Sequence, residues 1–97
     1  MAGLTAPDPA RPVPAWPAVT VVLDAAGAAV VEVAGTLSRV AGDGLAAGRV
    51  AALAEVRRRT AALARPVRVT AVDPTGRWAL LVHPDGRVTP AAPTRRR

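Results

Sequence analysis

Cysteine is missing from this 97-residue sequence, as are lysine, isoleucine, phenylalanine, tyrosine, asparagine and glutamine. Without thiols there is no disulfide framework and no thiolate metal ligand, which leans towards a reducing, cytoplasmic setting. Without Phe or Tyr there are no rings on which bases could stack, so an RRM-like or OB-like platform is poorly supported. No apolar run exceeds strand length, which leaves no expected membrane span. The N-terminus carries Asp8 and a run of prolines where a signal peptide needs basic residues and an apolar stretch.

Side chains that carry chemistry are almost as scarce. Serine and histidine occur once each, as Ser38 and His83. Ser38 reads as part of a connector with no nucleophile-elbow context. His83 precedes Pro84 in a turn, where local bonding accounts for it. Asp24, Asp73 and Asp85 fill turn positions that Asp takes for backbone reasons, and no spacing resembles a calcium loop or a zinc site. Gly42-Asp43-Gly44 lacks the pattern of a phosphate-binding loop, and Asp43 would repel an anion there. The expectation is no enzyme, no metal and no cofactor.

What is present is Ala, Val and Arg in excess, a bias that GC-rich coding explains without invoking function. The net charge is +6, which suggests an acidic partner or nucleic acid, so its location matters. Asp8 and Arg11 cancel. Arg39, Arg68, Arg77 and Arg87 balance Asp24, Glu32, Asp73 and Asp85. The surplus falls on one segment with Arg49, Arg57, Arg58, Arg59 and Arg65, and on a terminal Arg95, Arg96 and Arg97.

Residues 1–17 read as a flexible Pro-rich arm ending at Trp16 and Pro17. Residues 18–90 then form one α+β domain, and 91–97 a disordered basic tail. Within the domain, Ala18 to Asp24 and Ala28 to Ala34 are two β-branched runs around a Gly-terminated turn, a hairpin. Gly35 to Gly42 reads as a connector. Asp43 is placed to cap a helix from Leu45 to Ala64, which Arg65-Pro66 ends. Its apolar stripe is Leu45, Leu53, Val56, Thr60 and Leu63, with Arg49 intruding. Ala51, Ala54, Ala61 and Ala62 give the other side only small groups.

From Pro66 to Val88 the pattern is a β-meander. Val67, Val69 and Ala71 alternate with Arg68, Thr70 and Val72. Asp73-Pro74-Thr75-Gly76 and His83-Pro84-Asp85-Gly86 share one turn formula, a type I turn plus bulge. Trp78, Leu80 and Val82 point one way, Ala79, Leu81 and His83 the other. Val67, Arg68, Val69, Ala71, Asp73, Gly76, Trp78, Leu80, Val82, Pro84, Asp85, Gly86 and Val88 together resemble the C-terminal block of a group of small uncharacterised proteins. The resemblance covers about a quarter of the chain and concerns a fold-defining pattern; it implies no activity.

The Asp–Gly spacing of the first hairpin echoes that of the meander, which suggests a quasi-symmetric ββ-α-ββ(β) plan. The expected fold is a two-layer α+β domain with an antiparallel sheet of four or five strands and one helix on one face. Val21-Val22-Leu23, Val30-Val31 and Leu80-Leu81-Val82 are apolar on both faces, and one helix covers one. The expected function is therefore a non-enzymatic adaptor or accessory protein. It would act through the face away from the helix, with Val22, Val30, Ala79 and Leu81 as contacts and Trp16 as a clamp. The partner would be a second copy or a larger protein, with no membrane and no small-molecule substrate. The alternative is a basic nucleic-acid-binding module built on Arg57, Arg58, Arg59, Arg65 and Arg95 to Arg97.

Overall fold

The computed structural model describes residues 16–91. The first fifteen residues of the expected arm and the tail 92–97, with Arg95, Arg96 and Arg97, lie outside the described residues. The β-branched runs form strands as expected: β1 (Val19–Leu23), β2 (Ala28–Val33), β4 (Val67–Asp73), β5 (Gly76–Val82) and a short β6 (Val88–Pro90). The supposed connector supplies a further strand, β3 (Thr36–Ala41). Ala34 and Gly35 both take positive φ, 50° and 87°, the backbone signature of a two-residue hairpin turn.

That extra strand changes the sheet. With three strands in the first half, the chain leaves β3 at the end where β1 finishes. The helix α1 (Leu45–Thr60) then carries it back, so β4 starts beside the start of β1. The two pair in parallel, Val19 opposite Val69 and Val22 opposite Val72. The sheet therefore has six strands in the order β3-β2-β1-β4-β5-β6, with antiparallel pairs everywhere except at its centre. Among the described residues the α+β class and the single α-helix stand; the all-antiparallel sheet of four or five strands does not. Parallel neighbours need a long crossover, and β2, β3 and α1 together provide it.

The turn echo extends to one contact, an Asp carboxylate accepting from the amide two residues on (Ala26 and Thr75, 2.9 and 2.8 Å), but not to the backbone course. At Asp24 the carboxylate accepts hydrogen bonds from the backbone of Ala26 and Ala28 (2.9 and 3.0 Å), and Gly27 sits at φ 97°. The Asp73 turn is tighter, because Asp73 pairs directly with Gly76. The geometry of the Asp24 turn recurs instead at His83, where Gly86 has φ 96° and the His83 amide bonds the Arg87 carbonyl.

Helix α1 differs from expectation at both ends and along its inner face. Gly44 precedes it without a side-chain cap, and Asp43 stays exposed. It ends at Thr60 in a 3₁₀ turn, Ala61–Leu63, closed by Ala64 at φ 53°. Its buried positions are Gly48, Ala52, Val56 and Thr60, with Leu45, Leu53 and Leu63 only partly covered. Small groups let the helix lie close to the sheet. One close approach is at Gly48, where an added Cβ would sit 2.6 Å from the Gly27 carbonyl oxygen. The Gly42 and Gly44 amides bond the Gly27 and Ala26 carbonyls (2.9 and 3.1 Å) at the same joint. The first hairpin's tip is thus fastened under the start of α1, and the helix lies over β1, β2 and β3.

The core between the layers is Val19, Val21, Leu23, Ala29, Val31, Ala52, Val56, Val67, Val69 and Val82. Among the described residues no helix is long and apolar enough to cross a membrane.

Candidate functional site

Register decides which side chains share a face. Val82, Leu80 and Trp78 lie opposite Val67, Val69 and Ala71, and so belong to the helix side. Val22, Val30, Ala79 and Leu81 consequently fall on the face turned away from α1. There the pairings line up in rows. One runs Arg39–Val30–Val22–Val72–Arg77 across five strands, a valine stripe with a guanidinium at each end. The next runs Leu37–Glu32–Thr20–Thr70–Ala79, and a third joins Arg68, Leu81 and Thr89. Val22 is 49% exposed and Leu37 57%, while Val30, Val72 and Leu81 are half-buried. The face is not uniformly apolar, as the continuous hydrophobic runs suggested; it is an apolar band with charged margins.

Trp16 does not clamp that band. It is 65% exposed, and its carbonyl accepts a 2.7 Å hydrogen bond from Arg65 at the far end of α1.

The helix side carries a feature that sequence reasoning missed. Between α1 and the β4–β5 ladder lies a recess of about 310 Å³ lined by Val21, Leu23, Ala52, Leu53, Ala71 and Leu80, with Trp78 as one wall. Trp78 is 40% exposed there instead of sealed in the core. Arg49 closes the rim. Its Nη2 lies 2.7 Å from Asp73 Oδ2, and its Cζ lies 5.7 Å from the Trp78 ring centroid. Burial by itself would raise the pKa of Asp73. Hydrogen bonds from the Thr75 hydroxyl, Arg49 and the Thr75 amide outweigh it and hold the carboxyl below its usual range. Placing Arg49 among the apolar positions was the available signal: a charge on the inner stripe needs a partner, and Asp73 is that partner.

A second recess of about 370 Å³ follows along the same flank of α1. Arg57, Arg58, Arg65, Thr60 and His83 line it. The arginines of this region differ in how far they are engaged. Arg58 pairs with Glu55 (2.7 Å), and Arg59 donates to Ser38 Oγ and to the Val31 carbonyl (3.0 and 3.2 Å). Arg65 holds Trp16 and Pro66 carbonyls, and the Arg57 guanidinium lies against Gly86. Glu55 is the hub. Hydrogen bonds from Arg58 and from Ser38 Oγ (2.8 Å) lower its pKa to about 2.

Ser38 and His83 are not brought together. Ser38 is on β3, bonded to Glu55, whereas His83 follows β5 and its Nε2 lies 2.9 Å from Thr89 Oγ1. Four strand spacings separate β3 from β5, roughly 19 Å. Among the described residues no cluster of three His, Asp or Glu side chains could hold a metal ion. Comparison with known protein families, with curated proteins and with solved structures finds none that matches this chain, so what it does must be read from the surfaces just described.

Proposed function

We propose that this protein is a non-enzymatic adaptor that self-associates through the sheet face turned away from α1. The observation that carries the reading is the valine stripe of Val30, Val22 and Val72, which crosses the sheet at its centre and has Leu37 and Leu81 beside it. An apolar band in the middle of a face with charges at its margin is the anatomy of an interface. Six strands at about 4.8 Å spacing and about six residues each at roughly 3.3 Å make a face of roughly 570 Å². That is the same order as the roughly 800 Å² a partner contributes to a standard interface.

A second copy suits the charge pattern. A two-fold axis along the strands, between β1 and β4, would set β2 of one copy over β5 of the other. Glu32 would then lie over Ala79, one row from Arg77, twice, in a closed sheet-on-sheet dimer. The nucleic-acid alternative draws less support, since Arg58 is ion-paired with Glu55 and Arg59 donates to Ser38 and Val31 inside the fold.

Light scattering at low salt and at about 1 M salt, where the screening length is about 3 Å, tests the proposal. A dimer should persist at both. Val22→Glu, at a half-exposed position, should keep the fold and give a monomer. A wild-type monomer at both salt concentrations would sink the reading.

A further inference from the structure

On its helix side the sheet is sealed at Val67, Val69 and Val82, but not around Trp78, which is 40% exposed, nor over the half-buried Ala71 and Leu80. Its six strands, about 4.8 Å apart, span roughly 24 Å from first to last, and a helix is about 10 Å across. Because α1 lies mainly over β1, β2 and β3, its other flank borders a groove towards β5. The two recesses form that groove, one after the other, the first reaching down to Val21 and Leu23 of β1. The first is apolar, with Leu53, Trp78 and Leu80; the second is basic, with Arg57, Arg65 and His83.

We infer that this groove receives an amphipathic helix from an acidic partner protein, lying antiparallel to α1. Its first turns carry carboxylates against Arg57 and Arg65, neither of which has a carboxylate partner among the described residues. Its later turns set large apolar side chains over Trp78 and Leu80. The arrangement is consistent in its dipoles, since carboxylates are favoured at a helix N-terminus. That end of the incoming helix meets the C-terminal end of α1, where the arginines are. On the flank of α1, Ala54 and Ala61 line the basic recess and present only methyl groups, so two helix axes can approach to about 8 Å.

Charge excludes the other occupants. A second copy would have to offer its own α1, which carries Arg57, Arg58 and Arg59 in its last turn. Residues 92–97 end in three arginines, and residues 1–15 carry only Asp8 against Arg11, so neither supplies the carboxylates. The surface is also separate from the face proposed to self-associate, on the opposite side of the sheet.

The test uses the full chain with Trp16→Phe, so that Trp78 alone reports by its emission. The probe is a synthetic helical peptide of about five turns with Glu in its first two turns and Leu at i, i+3, i+4 and i+7 spacing thereafter. It should give a saturable change. A scrambled peptide of the same composition and a Glu-to-Lys version should bind at least tenfold more weakly. Arg57→Glu, or Arg65→Glu should the first fail to fold by circular dichroism, should weaken the acidic peptide at least fivefold. Equal binding of the three peptides overturns the inference, and so does no saturable change with the acidic peptide or tighter binding of single-stranded DNA. The Val22→Glu monomer should bind the acidic peptide unchanged, which separates this result from the fate of the dimer.

Discussion

Gly48 shows how one position can reverse an ordinary rule. Replacing a mid-helix glycine by alanine normally stabilises a protein by about 1 kcal/mol. Here the new methyl would lie 2.6 Å from the backbone oxygen of Gly27, which cannot swing aside like a side chain. Gly48→Ala should therefore destabilise, by about 2 kcal/mol, the scale of an overpacked core, visible as a lower urea midpoint with an unchanged slope. Glu55 makes a second residue-scale prediction. Its folded pKa of about 2 lies below the roughly 4.3 of an unfolded glutamate. Its contribution is complete above that unfolded value and is lost as pH falls towards 2. Glu55→Gln should remove that part of the acid dependence and leave the neutral side of the stability profile unchanged in shape.

At the scale of elements, the β2–β3 turn offers a direct test of why one strand escaped sequence reading. Ala34 holds a left-handed φ of 50°, which costs a residue with a Cβ roughly 1–2 kcal/mol. Ala34→Asn would create Asn-Gly, the dipeptide this turn favours, and should stabilise the protein by about 0.5–1 kcal/mol in thermal or urea unfolding. The same fact explains the omission. Ala-Gly carries none of the side-chain signature of a hairpin turn, and Thr36–Ala41 has only Leu37 and Val40 as bulky groups. The other strands were legible, because their Val-rich runs and Asp or Gly punctuation leave little choice. Assigning Trp78, Leu80 and Val82 to one side was legible for the same reason: alternation has a period of two. The helix was legible as an element and its inner surface in part. The expected stripe held Val56 and Thr60, which are buried. Bulk hydrophobicity, however, selects the leucines and passes over Gly48 and Ala52, which smallness brings against the first hairpin and the sheet.

For the molecule as a whole, what the sequence could not disclose is relational. The parallel pairing of β1 with β4 depends on how many strands precede α1, and one missed strand inverts the answer. The offset of α1 towards β1–β3, and with it the recess beside Trp78, depends on a glycine joint between segments about twenty residues apart in sequence. By contrast, alternation separates Ala79 and Leu81 from Trp78, Leu80 and Val82. Placing Val22, Val30, Ala79 and Leu81 on the far face then rests on the further assumption that Trp78, Leu80 and Val82 face the helix, as they do. If that face joins two copies, Val22→Glu should raise the dimer dissociation constant at least tenfold, about 1.4 kcal/mol, by sedimentation or light scattering. Monomer stability should move by no more than about 0.5 kcal/mol, as for other surface changes.

The central parallel seam also makes the chain divisible. Each meander closes its own ladder locally, and the two meet in the sheet only where β1 lies beside β4. A break in the backbone between Arg65 and Pro66 would yield two fragments, one keeping the helix and the other the tryptophan wall. Neither could hide its valines alone, yet a single zip of four residue pairs would rejoin them. The protein is in this sense a ready-made split reporter, whose reconstitution Trp78 fluorescence would follow.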